Sequence, residues 1–290
     1  MSNLDEKEID AVTGTDTTGH TWDGIKELNN PLPRWWLWTF YITIVWGIAY
    51  TVAYPAWPLL SRATEGMLGY STRAEVAAEI IRFEDANSEI SAQLAAADLN
   101  TLNENPELLR FANSAGAAVF RNNCSQCHGS GAAGAVGYPN LLDDDWLWGG
   151  DFDNIAYTIR HGIRNEEDWD ARWSEMTAYD DIFSNEEVDQ VVQYVRLISG
   201  QEHDAAVAAP GEELFLNNCA ACHGDDGAGN RDLGAPNLTD AIWLYGGSVE
   251  ALEETVRYAR FGVMPPWGNR LTEAEIKAVT AYVHQLGGGE

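Results

Sequence analysis

Two five-residue stretches carry the most specific chemistry in this chain: CSQCH at Cys124 to His128 and CAACH at Cys219 to His223. All 4 cysteines lie in them, and none is left over. Thiols at this spacing could pair as disulfides, share a zinc ion, or form a thioredoxin-like redox couple. None of these explains the histidine that follows each pair. With 6 His in 290 residues, two such placements by chance have a likelihood of roughly 4 in 10,000. A thioredoxin-like couple would also need a βαβ setting, whereas these flanks read as helix and Gly-rich loop. Two thiols three positions apart reach the two vinyl groups on one haem edge, and the adjacent imidazole then projects beneath the same ring toward iron. The reading is covalent attachment of haem twice, through Cys124, Cys127 and His128 and through Cys219, Cys222 and His223.

Iron held by one histidine has a sixth position, whose occupant separates electron carriage from ligand chemistry. Only 4 Met occur, the initiator included. Met67 follows a long apolar run and reads as an interfacial side chain. Met264, in GVMPPWG, comes 41 residues after His223, and Met176, in WSEMTAYD, comes 48 residues after His128. Each stands eight residues before the cap of a terminal helix, Thr272 and Ser184 respectively. Such a placement, twice in so Met-poor a chain, points to sixth ligands rather than gap filler. An extra stretch, RNEEDWDARWSE, precedes Met176, and His161 is a competitor there; it aligns with Phe261, however, and reads as a loop histidine. Spacing leaves open whether each methionine serves the haem of its own repeat or of the other.

The elements that must position these groups form an internal repeat. GYPNLLDDDWLWGG at 137–150 matches GAPNLTDAIWLYGG at 234–247, and SNEEVDQVVQYVRLISG from Ser184 matches TEAEIKAVTAYVHQLGG from Thr272. The latter pair predicts helices opened by capping boxes, Ser184 with Glu187 and Thr272 with Glu275. Val188, Val191, Val192 and Val195, and likewise Ile276, Val279 and Val283, make the buried stripes. Domains are expected at 114–200 and 209–290, joined by a polar, Ala-rich linker around GQEHDAAVAAPG.

Ahead of the repeats, Trp35 to Tyr54 runs for 20 residues without a charge. As a helix this spans the roughly 30 Å hydrocarbon core, with Trp35, Trp36 and Trp38 at one end and Tyr54 and Trp57 at the other as interfacial belts. Pro55 and Pro58 stop it. The polar stretch of 34 residues before it is too long for a cleavable signal peptide, so a retained anchor is expected, with residues 1–34 on one side and a linker and stalk helix over 55–113 on the other. Lys26 and Arg34 before the span and Arg62 and Arg73 after it barely choose an orientation.

Seventeen Lys and Arg against 45 Asp and Glu, a net charge of -28, disfavour nucleic acid, since no counterion-releasing basic surface can be assembled. Residues 114–200 carry 15 acids against 5 Arg, and 209–290 carry 12 acids against 5 bases. A charge-steered partner should therefore be basic. A span without histidine has nothing to ligate haem b or copper.

The order of helix, CxxCH, proline loop, methionine loop and C-terminal helix resembles class I cytochrome c domains. The implied fold is all-α: one N-terminal transmembrane helix, then two such domains in tandem. The resemblance assigns the carbonyls of Pro139 and Pro236 to hold the imidazoles of His128 and His223. With its NNPLPRWW approach, anchor, stalk and two haem repeats over residues 22–290, the chain resembles the membrane-anchored dihaem subunit III of cbb3-type cytochrome c oxidases. That family implies electron delivery from a donor cytochrome c, often basic, to a monohaem cytochrome c subunit and then to a haem-copper catalytic subunit that reduces oxygen. It also implies a bacterial inner membrane with residues 59–290 in the periplasm and 1–34 in the cytoplasm. Two alternatives stay open: a free-standing membrane-anchored dihaem shuttle, and a dihaem peroxidase with a displaceable sixth ligand.

Overall fold

The computed structural model describes residues 8–290, so the first seven residues of the expected cytoplasmic segment lie outside the described part. The described residues form two compact units, one ending at Asp85 and the other running from Ala86 to Glu290.

In the first unit, β1 (Thr17–Trp22) and β2 (Ile25–Leu28) form an antiparallel hairpin that the sequence reading did not anticipate. Its turn residues, Asp23 and Gly24, both have positive φ, the geometry that lets a two-residue loop follow the twist of its strands. Helix α1 (Arg34–Ala53) is the apolar segment, displaced by one residue from the expected span, and none of it is buried within the chain. The hydroxyls of Thr39, Thr43 and Thr51 donate to carbonyls of the preceding turn, so these three need no water partner in an apolar surrounding. Beyond Pro55 the chain turns back, and Met67 and Leu68 donate backbone hydrogen bonds to Val52 and Ala53.

Helix α2 (Thr72–Ala96) is the expected stalk and ends in the second unit, where Leu94 is fully buried. The rest of that unit is helical: α3 (Pro106–Val119), α4 (Ser125–His128), α5 (Phe152–His161), α6 (Asn185–Ile198), α7 (Ala205–Asn218), α8 (Ala220–His223), α9 (Val249–Tyr258) and α10 (Glu273–His284). Both expected capping boxes are present, opening α6 and α10. Helix α7 begins inside the expected linker because Asp204 accepts from the backbone of Ala206 and Val207, and the alanines that follow favour helix.

The helix pairing crosses the repeats. Helix α10, from the second repeat, packs on α3 and α5 of the first, and α6 of the first packs on α7 and α9 of the second. A β-carbon on Gly116 of α3 would lie 2.1 Å from the carbonyl oxygen of Ala278 in α10. At the equivalent position of α7, one on Gly211 would lie 2.0 Å from the carbonyl oxygen of Gln190 in α6. One turn further on, Phe120 meets Tyr282 with ring centroids 5.5 Å apart, and Phe215 meets Tyr194 at 5.3 Å. Connection length gives the reason. Residues 199–204 are all that separate α6 from α7, and so short a link makes consecutive helices neighbours. With α6 against α7, α3 is left to α10.

Candidate haem sites

Each CxxCH stretch closes a short helix whose last residue is the histidine, and a glycine with positive φ, Gly129 or Gly224, then turns the chain away. A single π turn over Phe120–Cys124 leads into the first motif, a local widening often found at functional sites. His128 Nδ1 lies 3.1 Å from the carbonyl oxygen of Pro139, and His223 Nδ1 lies 3.0 Å from that of Pro236. Both contacts are those the class I resemblance implies. With Nδ1–H donated to a carbonyl, Nε2 is the imidazole atom left to bind metal.

The loops that bring the prolines there depend on Gly134 and Gly229. Each donates its N–H to the carbonyl of its histidine, at 2.9 and 2.7 Å. Each has positive φ, and a β-carbon would come within 2.4 Å of Tyr138 O or 2.7 Å of Ala235 O. Asn140 and Asn237, next after the prolines, accept from the backbone two residues on, which fixes the loop's exit.

Burial pushes the thiols of Cys124 and Cys219 up to about 11, and it lowers both histidines despite the opposing proline hydrogen bonds. A redox-active CxxC works through a depressed thiol pKa, the opposite of what burial does to Cys124 and Cys219. Neutral imidazole is the metal-binding form.

The methionines fall in the opposite lobes. Met264 packs against the cluster that holds Phe120, Ile155 and Ile159, as does Cys124. Met176 packs with Phe215, Leu252 and Val256, in the cluster that includes Cys219. The backbone holds both exchanges. Ile163 and Met264 trade N–H···O bonds of 2.9 and 3.0 Å, and Trp267 and Gly268 donate to Ile159 and Arg160. Reciprocally, Tyr179 and Asp180 donate to Val256 and Arg257, and the Tyr179 hydroxyl donates to Asn218 O at 2.7 Å. Arg160 grips Glu273 with both contacts at 2.9 Å, and Arg257 meets Asp180 at 3.1 Å. Glu290 joins in: its backbone N–H donates to Gly150 O, its carboxylate accepts from Gly150 N–H, and Arg231 holds that carboxyl below the usual range. His161 ends α5 with its Nδ1 bonded to Asp168 at 2.9 Å, a contact that engages its ring with the loop rather than with a cysteine motif.

Sequence reasoning overlooked two residues. Trp148 Nε1 and Arg172 Nε are buried without a hydrogen-bond partner among the described residues, and the guanidinium lies 5.1 Å from the indole centroid. Two orphaned donors side by side are costly unless something accepts from them. A haem propionate is an acceptor of the right kind, so the chain fits the cofactor its motifs call for. Trp148 aligns with Tyr245 in the repeat, and in the folded chain each ring meets the proline loop of the other repeat, at Gly234 and Gly137.

An all-helical pair of CxxCH lobes, each with proline-held histidine and a methionine in its cluster, behind one apolar helix, defines a membrane-anchored dihaem c-type cytochrome. Residues 14–61 match the family described as the N-terminal domain of cytochrome oxidase-cbb3, FixP, and residues 111–195 and 206–283 match cytochrome c oxidase, cbb3-type, subunit III. The chain is 62% identical over 276 residues to the cbb3-type cytochrome c oxidase subunit CcoP of Cereibacter sphaeroides, covering 94% of this chain and 95% of the relative. It is 51% identical over 289 residues to subunit FixP of Bradyrhizobium diazoefficiens, covering 99% of each. The chain belongs to the subunit III family of cbb3-type cytochrome c oxidases. It is a membrane-anchored electron-transfer subunit with two covalent c-type haems, and its partners are other subunits of that oxidase.

Proposed function

We propose that this subunit accepts electrons from a basic donor cytochrome c and passes them to the monohaem cytochrome c subunit and thence to the haem-copper catalytic subunit. Each of its sites is built from both repeats. Cys124 and Cys127 would tether one haem, with His128 and Met264 as axial ligands. Cys219 and Cys222 would tether the other, with His223 and Met176. The observation that carries this pairing is the placement of each methionine in the hydrophobic cluster of the opposite cysteine motif.

Covalent c-type haem supplies a reversible one-electron couple. The polypeptide does the rest. Pro139 and Pro236 fix the imidazole planes by accepting Nδ1–H. Met264 and Met176 would hold the iron with a soft thioether, a donor that favours the reduced state, raises the potential and leaves no open site for small ligands. Trp148 and Arg172, whose buried N–H groups have no partner among the described residues, would donate to a propionate of the bound haem. Residues 59–290 face the periplasm, where c-type haem attachment occurs in this family, and residues 1–34 face the cytoplasm.

Carbon monoxide difference spectra of the reduced subunit test the carrier reading. Binding to neither haem is expected, and stoichiometric binding would turn the assignment toward a peroxidase. Protease added to spheroplasts should release both haem-stained fragments. Protection of the haem lobes until lysis would reverse the topology.

A further inference from the structure

The stretch that has no counterpart in the second repeat, residues 164–175, forms a loop whose tip carries Trp169 fully exposed to solvent. An indole of this size normally finds cover, because taking a large apolar side chain out of water is favourable. The loop is nevertheless held firmly. Asn165 Oδ1 accepts from the backbone of Glu167 and Asp168, both at 3.1 Å. Asp168 is bonded to His161, and the Tyr157 hydroxyl donates to Asp170 O at 2.8 Å. At its base a backbone ladder closes the loop: Arg164 N–H donates to Arg172 O at 2.8 Å, and Arg172 N–H donates to Gly162 O at 3.1 Å. The two flanking acids are thus pinned to α5 at Tyr157 and His161, away from the Ile155 and Ile159 side that packs into the lobe core. Trp169 therefore projects from a rigid mount on the outer side of the lobe.

The charge around it has one sign. Glu166, Glu167, Asp168, Asp170 and Glu175 line the loop. Its two cations turn inward: Arg164 donates to Gly262 O and Ser174 O, and Arg172 lies over the Trp148 and Tyr157 rings. Among the described residues, Arg270, paired with Glu167 at 2.8 Å, is the cation from outside the loop that offsets these acids. A pre-ordered tryptophan in a ring of like charge suits a protein partner of opposite charge: the aromatic ring supplies a central contact at little ordering cost, and the acids supply steering. An anionic lipid surface would be repelled. The loop's base is hydrogen-bonded through Ile163 to Met264, so a partner seated there lies one strand from a methionine of the haem lobes.

We propose that loop 164–175 is the docking surface for a basic electron-donor protein, with Trp169 as its central contact. The inference rests on the reading of this subunit as the one that receives electrons from such a donor.

The test uses the assembled oxidase and two electron sources: reduced cytochrome c of basic pI, and ascorbate with a small phenylenediamine mediator that needs no docking surface. Trp169→Ala removes a side chain that touches nothing in the fold, so haem content and mediator-driven turnover should be unchanged. kcat/KM for the basic cytochrome should fall tenfold or more. Glu166→Lys should lower it about threefold and flatten its dependence on ionic strength. An unchanged kcat/KM in Trp169→Ala, with wild-type oxidation still salt-sensitive, would place docking elsewhere and overturn this proposal alone. Salt-insensitive wild-type oxidation would sink the basic-donor reading itself. A Trp169→Ala oxidase that purifies without its other subunits would show the loop covered by one of them and likewise overturn the proposal.

Discussion

Replacing Gly116 by alanine should loosen the site built on His128 by pushing away a helix from the other repeat. The added carbon would sit 2.1 Å from Ala278 O and 2.7 Å from Tyr282 Cβ, whereas a carbon–oxygen contact settles at about 3.3 Å. The nearest obstacle is backbone, which no rotamer change can move, so α10 must retreat by about 1 Å. In an unobstructed helix the same change stabilises by about 1 kcal/mol. Overpacking costs about 1–3 kcal/mol, and a backbone obstacle places this one at the upper end, for a net loss of about 2 kcal/mol. That corresponds to about a 30-fold rise in the open population of the lobe. Hydrogen exchange on the haem-loaded subunit reads the effect directly. Protection should fall in α10 and in residues 264–272, leaving α6, α7 and residues 176–184 unchanged. Loss of protection in α6 and around Met176, or none at all, would refute the crossed packing. Gly211→Ala is the mirror experiment and should affect α6 and Met176 instead.

Arg172→Met or Trp148→Phe, each removing one orphaned donor, should lower the potential of one haem by about 30–60 mV in a potentiometric titration, as expected for about one hydrogen bond in a one-electron couple; an unmoved potential would remove these residues from the propionate site. Thr272→Ala removes the cap of α10 and should cost about 1 kcal/mol of thermal stability. Asp145 is pushed up to about 6 by burial and by the charges of Asp240 and Asp143. Because its folded-state value exceeds the unfolded one, ionised Asp145 weakens the fold: the penalty is absent below the usual carboxylate range and grows as pH rises through about 6. Asp145→Asn should therefore raise stability at pH 7 by about 1 kcal/mol, after allowance for solvent screening, and leave it unchanged at pH 4; equal melting shifts at both pH values would contradict this.

The anchor, the attachment motifs and the capped terminal helices were legible because each is a local pattern whose physics is complete within a few residues. Ser184 and Glu187 make a capping box wherever the helix later packs. Which terminal helix closes on which motif is a different kind of fact. Gly116, Phe120 and Tyr282 meet in one lobe, and Gly211, Phe215 and Tyr194 in the other, with the same residue types at equivalent positions. Own-repeat and crossed closures therefore bury nearly the same surfaces, and composition cannot tell them apart. What separates them is the six-residue link between α6 and α7, a signal that was in the sequence but hidden because α7 begins within what read as linker. The hairpin at 17–28 escaped for a related reason: its D-G turn was there to be seen, but its strands show no alternation of apolar and polar residues. The orphaned donors of Trp148 and Arg172 were out of reach, because only the folded packing shows that both lack a partner.

The most direct test is a density map of the haem-loaded subunit at a resolution that shows the axial atoms. The sulfur of Met264 should lie on the iron of the porphyrin attached to Cys124 and Cys127, and that of Met176 on the iron attached to Cys219 and Cys222. A map with Met176 above His128 and Met264 above His223 would contradict the composite sites.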